Sequence, residues 1–189
     1  MEQQYQEESV ATFRELGDKF GLFIALNNLG IALERQGDNS TAQHYYEESI
    51  ATAYELGEKN LVAYALNGLA HILYLEHHLA EANRNYQESL RIAMEIGEKR
   101  CVAYCFEGFA KLALQYANAE RAAHLLGAAE ALRKAIGAPL IQAEQDELDQ
   151  DVVAARNQLG QKVFDTVLSE GRAMTMEQTV EYALKEYRQ

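Results

Sequence analysis

The chain has 189 residues, and its 29 Asp and Glu against 17 Lys and Arg give a formal net charge of −12. This charge argues against direct nucleic-acid binding, because phosphate contacts need clustered basic side chains and no such cluster is present. One proline, no tryptophan and abundant Ala, Leu and Glu predict an almost wholly helical protein. No apolar run approaches the roughly 20 residues of a membrane span, and no charged-then-apolar leader is visible. We therefore expect a soluble, cytoplasmic protein without membrane contact.

The sequence contains an internal repeat with a period of forty residues. Residues 42–70 and 82–110 are identical at fourteen of twenty-nine positions at that offset. Glycines recur at the same interval, at positions 17, 57, 97 and 137. A fixed period of this size is typical of stacked supersecondary units that bury their apolar faces against one another.

Taken in chain order, the first predicted element is a half-repeat over 1–17. Its helix, residues 3–16, carries Val10, Phe13 and Leu16 on one face and ends at Gly17. This helix corresponds to the second helix of a pair, and three complete helix pairs are predicted to follow it, over 20–57, 60–97 and 100–137.

The first pair shows how each pair is built. A helix from Leu22 to Gln36 is followed by a polar turn, and Ser40 is the expected N-cap of the next helix, which ends at Leu56. The third pair keeps the length of this turn with Ala117-Asn118 in place of the glycine.

Pro139, the one proline, interrupts the period, and residues 138–189 are predicted to form a three-helix C-terminal cap. The first of these helices spans Gln142–Leu159, and a short apolar helix follows over 163–168. A capping box of Thr175 and Gln178 begins the last helix, which would extend to Tyr187.

The order of large and small residues in each pair resembles the tetratricopeptide (TPR) repeat over roughly residues 3–137. The matching positions are Leu26, Leu29-Gly30, Leu33, Ala42 and Tyr46 in the first pair, Leu66, Leu69-Ala70, Leu73, Ala82 and Tyr86 in the second, and Phe106, Phe109-Ala110, Ala113, Ala122 and Leu126 in the third. The resemblance implies an all-α, right-handed superhelix, although forty residues exceed the standard period of the family.

A second resemblance concerns the runs 107–113, 119–139 and 170–184. They are similar to the ends of the TPR arms of large bacterial regulators of the STAND type, in which the arm senses an inducer or partner and restrains a nucleotide switch. The chain itself shows neither a phosphate-binding P-loop nor a basic recognition helix. The resemblance implies a sensor or regulatory arm, or a detached homologue of one, in bacterial signal transduction or transcription regulation.

In a TPR array the first helices of the pairs line a concave face that binds a protein or peptide. Asn28 stands where many long-period TPR proteins use Asn to hold a peptide backbone, but its equivalents here are Gly68 and Gly108. The mixed aromatic and polar side chains still suit an extended or helical peptide. The predicted face comprises Ile24, Asn27, Asn28, Ile31, Arg35, Tyr64, Asn67, His71, Tyr74, Tyr104, Glu107 and Lys111. The alternative is that these residues coat an empty groove or pack on the C-terminal helices.

Other candidate sites favour structural interpretations. Cys101 and Cys105 lie one helical turn apart and are expected to be small core residues rather than a zinc half-site or a disulfide. His77-His78 lacks further metal ligands, and the acidic segment 144–151 lacks the glycine and final glutamate of a calcium loop. We expect that segment to be a solvated helix face, and we predict no metal, no cofactor and no enzymatic activity.

Two further functions remain open. The chain could be a free-standing adaptor or a scaffold that forms homodimers through the apolar face of the N-terminal half-repeat. A small-molecule receptor would need a closed pocket with convergent polar groups, for which the sequence offers no specific sign.

Overall fold

The computed structural model describes residues 2–185, with side chains placed from Gln4 onward. Of the described residues, 87% are helical, and they form ten helices and no strand. The predicted Tyr187 lies outside the described residues. The helices pack in adjacent pairs, so the predicted all-α class, consistent with a solenoid, is confirmed. They are α1 (Glu2–Leu16), α2 (Lys19–Gln36), α3 (Asn39–Leu56), α4 (Lys59–Leu75), α5 (Leu79–Ile96), α6 (Lys99–Gln115), α7 (Ala119–Ile136), α8 (Gln142–Leu159), α9 (Gln161–Ala173) and α10 (Met176–Leu184).

A left-handed residue stands in every turn from α1 to the end of α7. Those residues recur every twenty positions, at Gly17, Gly37, Gly57, His77, Gly97, Ala117 and Gly137, with φ between 55° and 79°. Glycine adopts this conformation without a Cβ clash, whereas His77 and Ala117 carry a steric cost there. Helix and turn together therefore occupy twenty residues, which explains the forty-residue period of a pair.

The N-caps follow directly after these left-handed residues. Asp38 accepts a hydrogen bond from the Thr41 backbone N–H at 3.2 Å, and Asp18 accepts one from Gly21 at 3.0 Å. The prediction of Ser40 as a cap is therefore wrong, because Gly37 ends α2 and the very next residue can cap α3. The capping box of Thr175 and Gln178 is confirmed.

The chain divides into two compact units, Met1–Glu98 and Lys99–Gln189. In the first unit each of α1 to α5 packs on its neighbour in the chain. The Tyr46 ring of α3 lies against two glycines of different helices. A Cβ at Gly30 would be 3.1 Å from the ring, and one at Gly68 would be 2.4 Å from it. Small residues at these positions let α2 and α4 approach the same aromatic side chain.

The second unit contains the third helix pair, α6 and α7, together with the C-terminal helices. α9 packs along α7 and is longer than the short apolar helix predicted over 163–168. Two glycines bring these helices into backbone contact. A Cβ at Gly127 would lie 2.2 Å from the Leu168 carbonyl oxygen, and one at Gly171 would lie 2.1 Å from that of His124. The sequence predicts a boundary at 137 between the repeats and the C-terminal helices, and the second unit contains residues from both sides of that position.

Candidate functional site

For each of the helices α2, α4 and α6 taken separately, we define the first-helix face as the side that carries the residues at positions 24, 27, 28, 31, 34 and 35 or their equivalents forty or eighty positions later. On α2, Asn28 and Arg35 are exposed, and Ile24 retains 42% of its surface in solvent. Asn27 and Ile31 are half-buried. This part of the face therefore combines an accessible isoleucine with an amide and a guanidinium group.

On α4, the predicted residues Tyr64, Asn67, His71 and Tyr74 are all half-buried. The His71 ring stacks on Tyr74 with 6.1 Å between the ring centroids. His71 Nδ1 lies 3.1 Å from a carboxylate oxygen of Glu34 on α2. Tyr46 donates a hydrogen bond from its hydroxyl group to the other oxygen of Glu34, at 3.3 Å. Glu34, which the sequence interpretation missed, thus joins α2, α3 and α4.

On α6, the first-helix face is occupied by the chain's own helix α8. Tyr104 donates a hydrogen bond from its hydroxyl group to Glu144 at 3.0 Å. Lys111 Nζ donates to Glu147 and to Asp151, both at 2.8 Å. At this helix pair, the predicted face residues Tyr104 and Lys111 pack on a C-terminal helix, as the alternative interpretation proposed.

Glu107, also predicted for this face, points instead into a buried ion pair with Arg133 of α7. The guanidinium group donates to both carboxylate oxygens, at 2.5 and 2.7 Å, and both side chains are nearly inaccessible to solvent. The same guanidinium group lies over the Tyr104 ring, 4.3 Å from its centroid. Arg133 therefore holds Tyr104 and Glu107 together beneath α8.

These surroundings shift the pKa values of Tyr104, Lys111 and Glu107. Burial, followed by the negative charge of Glu144, raises the pKa of Tyr104 to about 12. Burial lowers the pKa of Lys111, but the attraction of Asp151 and Glu147 outweighs this effect and the net shift is upward. Burial raises the pKa of Glu107 more than Arg133 and Lys111 lower it. Lys111 is therefore held in its charged form where the carboxylates of α8 meet it.

The charged residues beneath α8 depart from the other copies of the repeat. Glu107 stands where Asn27 and Asn67 stand, and Lys111 where Ile31 and His71 stand. Arg133 replaces Ala53 and Ala93, which are both fully buried. The third copy thus has residues of opposite charge at positions that are mostly apolar or uncharged in the other two copies. This difference is the sequence signal from which the ion pair and the binding position of α8 could have been predicted.

The acidic segment 144–151 is not the wholly solvated helix face that the sequence predicted. Glu144, Glu147 and Asp151 point toward α6, because their spacing of three and four residues puts them on one side of α8. Asp146 and Asp149 are exposed, and each accepts a hydrogen bond from a glutamine four residues before it.

The remaining candidates behave as core or surface residues. Cys101 and Cys105 are completely buried on α6, as expected for small core side chains. Within the described part of the chain, no three His, Cys, Asp or Glu side chains come together as metal ligands. None of the described helices combines the length and the apolar character that a membrane crossing requires.

No protein-family model matches the chain, and no curated protein matches it. Among solved structures it is similar to the crystal structure of BtubC (BKLC) from P. vanneervenii. The similarity covers 91% of this chain and 68% of that one, with 19% sequence identity and a TM-score of 0.60. At this identity the likeness supports the all-helical, repeat-like fold alone.

Proposed function

We propose that the chain is a non-catalytic, TPR-type module that binds a segment of a partner protein along the first-helix face of α2. The observation that carries this proposal is the seating of α8 on the equivalent face of α6. In this intramolecular contact, Tyr104 and Lys111 of α6 bind the helix α8. Ile24 and Ile31 stand at the same repeat positions on α2.

The chemistry of the α2 face supports a different kind of ligand from α8. Ile24 and Ile31 offer apolar contact where α6 has a phenol and an ammonium group, and Arg35 adds an exposed positive charge at the end of the face. A helical or extended segment with an apolar side chain and a carboxylate would match these groups. The resemblance to bacterial regulator arms supports a sensor or regulatory role for this binding, in the cytoplasm of a bacterium.

A site-specific crosslinking experiment tests the proposal. A photo-crosslinking amino acid replaces Asn28 on the α2 face or, as the matched control, Glu47, which is exposed on α3. In a lysate of the organism that encodes the chain, we expect a discrete crosslinked protein from position 28 and not from position 47. Ile24→Glu should abolish that product, since a charge would enter the apolar contact. The same products from both positions would contradict the proposal.

Self-association through α1 is a second candidate, and a specific observation favours it. Leu16 has 72% and Tyr5 has 67% of its surface exposed, and Phe20 at the start of α2 is also exposed. Exposed large apolar side chains on neighbouring helices favour a protein interface. A second copy of this chain could cover them.

A further inference from the structure

We propose that the first-helix face of α6 is an exchangeable site for acidic helices, and that α8 is its resident occupant. A partner with a helix of matching charge would displace α8 and bind to Tyr104 and Lys111. This site differs from the α2 face in position and in ligand chemistry, so the two proposals can fail separately.

The first argument is the way in which α8 is attached to α6. Its acceptors Glu144, Glu147 and Asp151 follow one another at intervals of three and four residues, and all three bind donors on one face of α6. Lys111 donates hydrogen bonds to two of these carboxylates, and its side chain is only 10% exposed. The attachment to α6 is therefore made by charge-assisted hydrogen bonds, of which the one to Asp151 is nearly dry, whereas the Glu147 side chain is 43% exposed. Helix α8 also packs on α7.

The second argument is how little of α8 is buried. Of its eighteen residues, all of which are described, Ala155 is the one that is fully buried. The shorter helix α9 buries Phe164, Val167 and Gly171 and makes backbone contact with α7. Because apolar burial supplies most of the free energy that holds a helix in place, α8 should detach far more readily than α9.

The third argument is that the surface beneath α8 does not depend on α8 for its shape. Glu107 and Arg133 bind each other within the pair α6–α7, and the Arg133 guanidinium group also lies over the Tyr104 ring. The ammonium group of Lys111 would remain at this surface after α8 had left. A preformed cationic and aromatic surface favours an incoming helix with carboxylates spaced as in α8.

The charge of α8 defines the class of ligand. The helix carries five carboxylates against one arginine, at Glu144, Asp146, Glu147, Asp149, Asp151 and Arg156. Salt should weaken the part of the attachment that Glu147 makes, because its side chain is 43% exposed and the Debye length falls to a few ångström at high ionic strength. A partner helix needs at least the three carboxylates that meet Tyr104 and Lys111.

The experiment uses the full chain and a fluorescent synthetic peptide of residues 141–160 as the probe. We expect weak binding to the unaltered chain, whose own α8 competes. Glu147→Lys with Asp151→Lys should release α8 and tighten peptide binding by about tenfold or more, since the competent state becomes more populated. Equal affinity for both chains would overturn the proposal.

A charge-reversed pair supplies the matched control. The full chain with Lys111→Glu should not bind the original peptide, but should bind a peptide with Glu147→Lys and Asp151→Lys, which the unaltered chain should reject. A merely structural role of Lys111 would not produce this exchange of specificity, so its absence counts against the site. If light scattering shows the unaltered chain to be a dimer that Lys111→Glu dissociates and Leu16→Glu on α1 does not, the occupant is α8 of a second copy and the partner-helix proposal is overturned.

Hydrogen exchange on the unaltered chain keeps the test independent of the folding of variants. Amides of α8 should exchange faster than those of α9, and raising NaCl from about 50 mM to about 500 mM should accelerate α8 alone. Exchange of α8 at the rate of α9 under both conditions would show that α8 opens only when the unit unfolds, and would overturn the proposal.

Discussion

At the scale of single residues, the buried ion pair of Glu107 and Arg133 is the largest departure from the repeat chemistry. Their side chains are 9% and 8% exposed, so each charge depends on the other for compensation. Removal of one partner from such a pair leaves an isolated buried charge. The pair also positions Tyr104, because the Arg133 guanidinium group contacts both residues.

Glu107→Asn alone should lower the free energy of unfolding by about 3–5 kcal/mol, because Arg133 would remain charged and unpaired. The double variant with Arg133→Ala restores the residues of the second copy, Asn67 and Ala93, and should lose less than Glu107→Asn alone. Urea denaturation of the unaltered chain, Glu107→Asn, Arg133→Ala and the double variant measures the coupling free energy between the two residues. Simple additivity of the two single losses would show that the pair is not coupled.

The ionisation of Tyr104 gives a prediction for alkaline pH. Burial and Glu144 raise its pKa from 10.0 to about 12, against the opposing charges of Arg133 and Arg100. Because the folded-state pKa is the higher one, the stability contribution of the neutral phenol is complete below about pH 10. It is lost as the pH rises toward 12.

Absorbance titration near 295 nm of the chain and of Tyr104→Phe isolates this group. The difference between the two curves should have its midpoint near pH 12. The perturbed phenol of Tyr46 is common to both chains and cancels. A midpoint near 10 would mean that Tyr104 is solvated and that α8 does not cover it.

At the scale of elements, the contact between α7 and α9 depends on two glycines. A Cβ on Gly171 would meet a backbone carbonyl oxygen at 2.1 Å, and a helix backbone cannot move aside as a side chain can. Gly171→Ala should therefore cost more than the roughly 1–3 kcal/mol of ordinary overpacking. This loss should appear although alanine favours the helix by about 1 kcal/mol.

Ser169→Ala is the matched control on the exposed side of the same helix and should leave the melting temperature nearly unchanged. Thermal unfolding by circular dichroism compares the two variants. Equal melting temperatures would show that α9 lies further from α7 than the structure places it.

The helices of the three pairs were predictable because each turn carries its own local signal. A left-handed glycine or its substitute ends each helix, and apolar residues at helical spacing follow. The docking of α8 was not predictable in this way. Its contacts join residues that are thirty-six to forty positions apart in the chain, and an acidic helix face has the same local pattern in solvent as against a lysine.

At the scale of the whole molecule, the exposed apolar residues at the N-terminal end bear on self-association. The second candidate function predicts that the chain forms dimers as its concentration rises, because Leu16 and Tyr5 would become buried. Leu16→Glu should shift the equilibrium to the monomer, since a carboxylate would be desolvated in the interface.

A concentration series by multi-angle light scattering measures this equilibrium for both chains. Leu75→Glu, at a large apolar residue with 37% exposure near the end of α4, is the matched control and should leave the association unchanged. A wild-type chain that stays monomeric throughout the series would remove this candidate, and would leave the α2 and α6 proposals untouched.

The sequence by itself determined the helical class, the period and most helix ends, since these follow from turn chemistry and side-chain spacing within about twenty residues. Only the tertiary structure decided which predicted face residues remain accessible, with Ile24 exposed and Lys111 covered. The physical reason is that the burial of a charge depends on where a distant carboxylate comes to lie, and the folding of the C-terminal helices back onto the third pair sets that position.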